Sequence, residues 1–329
     1  MLKFLLILLL PQEDRLLERL EREIADVVRK VRPSVVSIEA RTPWRPELRI
    51  EISRTLRLSG VVYRKDGYVL TDAGATAGAD RIRVTLWDGR TLDAKLVGSD
   101  ARSGIAVLRV DSADLVPAEI AGATDARCGS FAIAVGDSYG LKGSASIGML
   151  AGTDRAIRVA GREYDGLLQL TTPAHPGDCG GFVADSRGRL LGMLHSVLDA
   201  EETEDFGILR FLWDRSSAGA ITFAVPAETA RFVADRIIKH GRMVRGWIGA
   251  TVRPAAPGAE VVRVDAGGPA RKAGLRKGDV ILAWDGEEMR DVAALRRRIE
   301  ILEEPRAAKL GILRDGTRIE LEVRVELEK

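Results

Sequence analysis

Three stretches, "VVYRKDGYVLT", "IRVTLWDGRTLDAKLVG" and "LGILRDGTRIELEVRV", interrupt a β-rich run with Asp-Gly, and "FVADSRGRLLGML" does the same with Ser-Arg-Gly. Asp-Gly accepts the positive φ of a tight type I′ turn, so each stretch reads as a β-hairpin. Hairpins pair neighbouring strands antiparallel, and many short ones imply a barrel or a sandwich. Two segments carry the helical period instead. From Glu13 to Val31 the apolar residues Leu16, Leu17, Leu20, Ile24, Val27, Val28 and Val31 keep i, i+3, i+4 spacing, and Pro33 closes the helix. In "TFAVPAETARFVADRIIKHGRM" a strand and a proline precede a helix that offers Ala230, Phe232, Val233, Ile237 and Ile238 for burial, with Gly241 at its C-cap. A chain of 329 residues accommodates two domains, and this second helix is the expected bridge between them. The remainder, from Arg245 to Lys329, has short strands, one helical run "DVAALRRRIEIL" and the Asp315-Gly316 hairpin.

Charge excludes one class of partner. Lys and Arg alternate with Asp and Glu and the net charge is +2, so no basic stripe tracks a phosphate backbone, and proteins or peptides are the expected partners, with no nucleic acid. Cys128 and Cys179 are the chain's two cysteines; their number does not make a disulfide scaffold and their spacing is not that of metal ligands, although a bond between them stays open. His175, His195 and His240 are scattered, His240 reading as an ordinary packed or surface residue, so neither a metal nor a cofactor is expected. The N-terminus "MLKFLLILLLPQED" holds an apolar run from Phe4 to Leu10, shorter than the ~20 residues a bilayer span needs. It is consistent with a remnant of a signal or anchor, or with a frayed apolar end or misplaced start, and no small-x-small cleavage site follows. The expected compartment is the cell envelope or periplasm, with the cytoplasm left open.

"SGVVYRKDGYVLTDAGATAGADRIRVTLWDGRTLDAKLVGSDARSGIAVLRV", "GDCGG", "ITFAVPAETARFVADRIIKHGRMVRGWIGA" and "GGPARKAGLRKGDVILAWDG" occur in that order. Together they resemble the HtrA family, trypsin-like serine proteases joined to a C-terminal PDZ domain. The resemblance implies a mainly β fold: a double six-stranded β-barrel with its site in the cleft between barrels, then a PDZ domain, with the amphipathic helix leading. The domains expected are a short apolar N-terminus over 1–12, the helix over 13–33, a degenerate protease domain over 34–240 and the PDZ domain over 245–329.

By the same resemblance the general-base histidine falls at Gly74, its orienting aspartate at Gly104 and the serine nucleophile at Cys179. A nucleophile, a base and an orienting carboxylate are all needed, and losing the full triad costs about 10⁶ in kcat. The expectation is a catalytically inactive pseudoprotease, not an enzyme. Asp72 and Asp100 read as turn and surface carboxylates, Cys179 as a half-buried thiol that packs in a turn, and Cys128 as a small apolar residue before a strand. Backbone donors at Gly177, Asp178 and Cys179 are the expected remnant of an oxyanion hole, and Phe182 is expected to fill the cleft. The alternative is a weak cysteine-dependent peptidase using Cys179 with His175 or His195 as its base.

In the PDZ portion, Trp247, Ile248, Gly249 and Ala250 fall where the family's carboxylate-binding loop lies, with Leu295 and Ile299 on the helical wall of the groove. The adjoining strand, about Ile248 to Arg253, would pair with an extended peptide. Expected partners are therefore peptides or unfolded proteins with free C-terminal carboxylates, in a regulatory or scaffolding role in protein quality control. Through the leading helix a homo-trimer, or a mixed oligomer with an active relative, is expected. A purely structural subunit with a self-blocked PDZ groove is the third alternative.

Overall fold

The computed structural model describes residues 16–43, 53–159, 162–175, 177–198, 221–289 and 291–328. The apolar N-terminus of 1–12 lies outside them. Among the described residues no helix is long and apolar enough to cross a membrane. The chain divides between Met243 and Val244 into two compact units.

The first unit opens with helix α1, Leu16–Val31, and holds two closed antiparallel barrels. Strands β1 (Val35–Pro43), β2 (Ser53–Arg64), β3 (Tyr68–Asp72), β4 (Arg81–Thr85), β5 (Thr91–Asp100) and β6 (Ile105–Val110) close in the order β1-β2-β3-β6-β5-β4, with the single-turn helix α2, Ala73–Thr76, directly after β3. Strands β7 (Phe131–Gly136), β8 (Ser144–Val159), β9 (Arg162–Leu170), β10 (Phe182–Ala184), β11 (Leu190–Leu198) and β12 (Ile221–Pro226) close in the order β10-β11-β12-β9-β8-β7. Helix α3, Ala227–His240, follows, and ends on Gly241 at φ 72° with its N–H bonded to the Ile237 carbonyl, a left-handed cap that suits glycine.

Each barrel uses the alternation of its strands twice. On β6, Leu108 and Val110 point into the first barrel with Ile38, Leu58, Val62 and Val69. Ile105 and Val107, on its other face, join a shared core with Val61, Leu70, Val135, Phe182, Met193 and residues of both helices. A strand buried on both faces reads as a near-continuous apolar run, as "GIAVLRV" does with Arg109 its one polar residue. Each fully buried Leu, Ile or Val in this shared core contributes about 1.5–3 kcal/mol, so the two barrels and α3 form one cooperative body. Only the C-terminal half of the α1 stripe takes part: Val27 and Val31 are buried, whereas Leu16 and Leu17 are exposed.

Phe182 corrects an expectation. It pairs with Val135 and Met193 and is 1% exposed in the shared core, so it does not fill the cleft. Val183 faces the interior of the second barrel and Phe182, on the opposite face of β10, the core shared by both, which the resemblance alone could not show.

The second unit is a single sheet in the order β13-β19-β18-β16-β15-β14, with β17 paired to β16. Its strands are β13 (Gly246–Trp247), β14 (Ala250–Pro254), β15 (Ala259–Val264), β16 (Val280–Trp284), β17 (Glu287–Glu288), β18 (Arg306–Arg314) and β19 (Thr317–Leu327). Helices α4, Pro269–Lys272, and α5, Val292–Glu300, complete it around a core of Ile248, Val261, Leu275, Ile281, Trp284, Leu295 and Leu310. Asp315 and Gly316 take φ 47° and 79°, as a type I′ hairpin requires.

Candidate functional site

The cleft residues lie where β3, β6, β11 and the loop before β10 converge. Asp72 ends β3 and caps α2: its Oδ1 accepts from the Gly74 N–H at 2.8 Å and the Ala75 N–H at 3.2 Å. Its Oδ2 lies 2.9 Å from His195 Nδ1. Because an ionised carboxylate only accepts, the network assigns the proton to Nδ1, which donates. Both side chains are sequestered, His195 at 7% exposure and Asp72 at 12%. Tyr164 packs edge-on against the imidazole with ring centroids 4.4 Å apart. His195 Nε2 is buried and has no hydrogen-bond partner. Asp72 is thus a turn carboxylate, as expected, but not a surface one: its second oxygen is bonded to the sequestered histidine. Asp100 is likewise a turn carboxylate but buried, at 7% exposure, and accepts from the Ser103 N–H at 3.0 Å, shaping the turn that delivers Gly104.

The positions assigned to a catalytic triad carry little of it. Gly74 has no side chain, and a Cβ built there would meet only Asp72 Oδ1, at 3.1 Å. Gly104 sits at φ 75° with its carbonyl accepting from the Ala73 N–H at 2.8 Å, and a Cβ there would lie 2.7 Å from His195 Nδ1, inside the imidazole's own space. Cys179 is half-buried and free, and the peptide unit that follows it is pinned at both ends: its carbonyl accepts from the Ser59 N–H at 2.9 Å, and the Gly180 N–H reaches the Leu194 carbonyl at 2.6 Å. Burial, with the nearby charges of Asp72 and then Asp178, pushes its thiol up to about 12. At neutral pH it is a thiol, not a thiolate. Cys128, also free, is exposed rather than packed before its strand.

The two histidines named as a base for Cys179 stand differently. His195 is oriented by Asp72 through Nδ1 and leaves Nε2 as its unpartnered ring nitrogen, whereas His175 is exposed with its ring stacked on Tyr139 at 5.6 Å. The expected oxyanion segment is held by its side chains. Asp178, at 5% exposure, accepts from Ser138 Oγ and from the His175 N–H, both at 2.7 Å, while its own N–H donates to the His175 carbonyl at 3.0 Å. Ser59 Oγ donates to the Gly177 carbonyl at 2.8 Å. One of the three amides expected to line a hole is thus already satisfied within the turn.

In the second unit, Trp247, Ile248, Gly249 and Ala250 form the connection from β13 to β14. Ile248 is buried, and its carbonyl accepts from the Ala270 N–H at 2.7 Å; Gly249 takes φ 76°, and its carbonyl accepts from the Asp265 N–H at 2.9 Å. A Cβ on Gly249 would come 3.0 Å from the Gly268 Cα, so glycine serves both conformation and space there. Strand β14 pairs with β15 and ends the sheet, and α5 packs beside it. Leu295 is buried in the core and Ile299 partly so.

Comparison with known proteins locates both units. The model of the trypsin-like peptidase domain matches residues 58–193, and that of the PDZ domain matches 246–325. A probable periplasmic serine endoprotease DegP-like of Halomonas elongata is 31% identical over 271 residues, covering 78% of this chain and 54% of that protein. A probable periplasmic serine endoprotease DegP-like of Brucella suis is 32% identical over 281 residues, 81% of this chain and 52% of that protein. The chain thus spans about half the length of these curated relatives. Among solved structures, the HtrA-type protease AlgW with decapeptide superposes with a TM-score of 0.77 at 28% identity, over 93% of this chain and 99% of that one. The serine endoprotease from Yersinia pestis gives 0.71 at 26% identity, over 93% and 98%.

These relatives overturn the expectation that the chain falls outside the enzymes, since they are named serine endoproteases and the matching domain is a peptidase domain. With a trypsin-like double barrel followed by a PDZ domain, the chain belongs to the HtrA family.

Proposed function

We propose that this chain captures peptides or unfolded proteins through its PDZ domain, as an HtrA-type component of protein quality control in the cell envelope. The observation that carries the reading is the open edge of β14 beside α5, entered through the Trp247–Ala250 loop. An edge strand offers unpaired backbone groups to an extended peptide, and a loop with glycine at its turn lets backbone amides reach a terminal carboxylate. Two findings support the setting: AlgW was solved with a decapeptide, and the curated relatives are named periplasmic.

The test is fluorescence anisotropy of the full chain against a library of labelled peptides with free C-termini, each beside its C-terminal amide. Capture in the groove predicts saturable binding by a subset of acids, and at least about tenfold weaker binding by the matching amides. Equal binding of acid and amide would remove the carboxylate from the recognition. Cleavage of an unfolded protein is measured in parallel for the wild type and Cys179→Ala. Products made by the wild type alone assign turnover to Cys179, whatever the anisotropy shows.

A further inference from the structure

Gly104 and His195 stand 91 positions apart in sequence yet compete for one volume: a Cβ on Gly104 would lie 2.7 Å from the imidazole Nδ1. The imidazole is not loosely lodged there. It is 93% buried, held at Nδ1 by Asp72 and packed edge-on by Tyr164. Asp72 is held in turn by three N–H groups, two from α2 and one from the imidazole. The charges that act on the Cys179 thiol are those of Asp72 and Asp178. A serine-type relay places the imidazole next to the nucleophile and the carboxylate behind it. Here the charge of Asp72 acts on the thiol, and the imidazole is bonded through Nδ1 to that same carboxylate.

We propose that the site holds a buried polar line of Asp72 and His195 beside the Cys179 turn, in which His195 is the positioning residue for Asp72 and can occupy its seat only because position 104 is glycine. This inference concerns the first unit and is independent of peptide capture by the second. The carboxylate is fixed where it disfavours loss of the thiol proton, so the line keeps Cys179 protonated. Asp72 cannot drift away without uncapping α2, and His195 cannot turn without leaving two buried polar groups unpaired.

A double-mutant cycle in the full chain, on a Cys128→Ser background, tests it. Gly104→Ala and His195→Ser should each raise the unfolding equilibrium constant, while the double variant raises it at least about tenfold less than the product of the two, because alanine collides only with an imidazole. An additive cycle overturns the shared seat. If Gly104→Ala does not accumulate, His195→Ser and the double variant decide: the proposal requires that both fold, and loss of the double alone means that the left-handed φ at 104 decides the matter. The pairing has its own signature. In protein labelled with ¹⁵N-histidine, one Nδ1-bound proton should be far downfield and slow to exchange, and should be lost in His195→Ser and in Asp72→Asn; its persistence in Asp72→Asn refutes the bond. The effect of Asp72 on the thiol is read from iodoacetamide, where sulfur displaces iodide and the thiol proton passes to solvent. Asp72→Asn should speed modification of Cys179 about tenfold at pH 8. Slower modification would mean that Asp72 works through the histidine to take the thiol proton, which is the ordinary order.

Discussion

Asp279→Ala in the PDZ unit puts a number on the packing beneath its groove. Asp279 is 2% exposed and accepts from Arg314 Nε and Nη2 at 2.7 Å each, and from the Arg276 N–H at 2.7 Å. Removing one member of a buried pair costs about 3–5 kcal/mol, chiefly because the other charge is left unmatched. Arg314 keeps a bond from Nη2 to the Gly274 carbonyl at 2.8 Å and is 18% exposed, so it regains some hydration and the loss belongs at the low end, about 3 kcal/mol. For a unit the size of Val244–Lys329 that corresponds to melting about 12–24 °C lower. The acid side carries a second signature. Burial works to raise the Asp279 carboxyl, but the Arg314 bonds and the Arg276 N–H outweigh it and hold the group below the usual carboxylate value. A depressed folded value means that the stabilisation is complete above the unfolded value near 3.9 and drains away as pH falls through the lower folded one. Calorimetry of the full chain from pH 7 to pH 2 should therefore show the second unit of the wild type weakening steeply below about pH 4, and that of Asp279→Asn weakening less. A shift of under about 5 °C for Asp279→Ala at pH 7 would refute the reasoning.

Phe182→Ala, at a fully buried position, should cost the first unit about 3–5 kcal/mol by urea titration, and a cost under 1 kcal/mol would return Phe182 to the cleft. Gly180→Ala should give little folded protein, because a Cβ there meets Thr71 Oγ1 at 2.7 Å at φ 83°; normal yield and melting would contradict the fit. Gly249→Val should weaken peptide capture at least about tenfold in the anisotropy assay, through the 3.0 Å approach to the Gly268 Cα and the φ of 76°, and unchanged affinity would remove this loop from the site. Leu16→Asp with Leu17→Asp, on exposed positions of α1, should leave the melting of the first unit within about 0.5 kcal/mol of wild type, and a larger loss would show that these leucines are covered.

Periodicity and turn chemistry carried most of the architecture, because the Asp-Gly hairpins, the α1 stripe and the Gly241 cap are local signals with local causes. Phe182 and Asp72 were misread for a different reason: which face of a strand is buried, and which side chain a carboxylate meets, depend on partners far away in sequence. Asp72 meets its histidine across 123 positions. The departure at 104, a residue without a side chain, was legible, but nothing in the order of letters says that this residue and the ring of His195 share a volume. Half of the α1 stripe is exposed for a similar reason, since a period of 3.6 reports a face and not the length over which it finds a partner.

The open edge at β14 has a cost as well as a use. A row of backbone groups that can receive a peptide can as readily receive the same edge of another molecule, so the edge is also a seed for self-association. Two residues limit that risk. Arg253 presents a charge on the edge strand, held by Glu260 on β15 at 2.9 Å through Nε, and Pro254 ends the strand with a residue that has no N–H to donate. The stretch available for pairing is thereby kept short, long enough for the last few residues of a client and too short for a stable ladder between two copies.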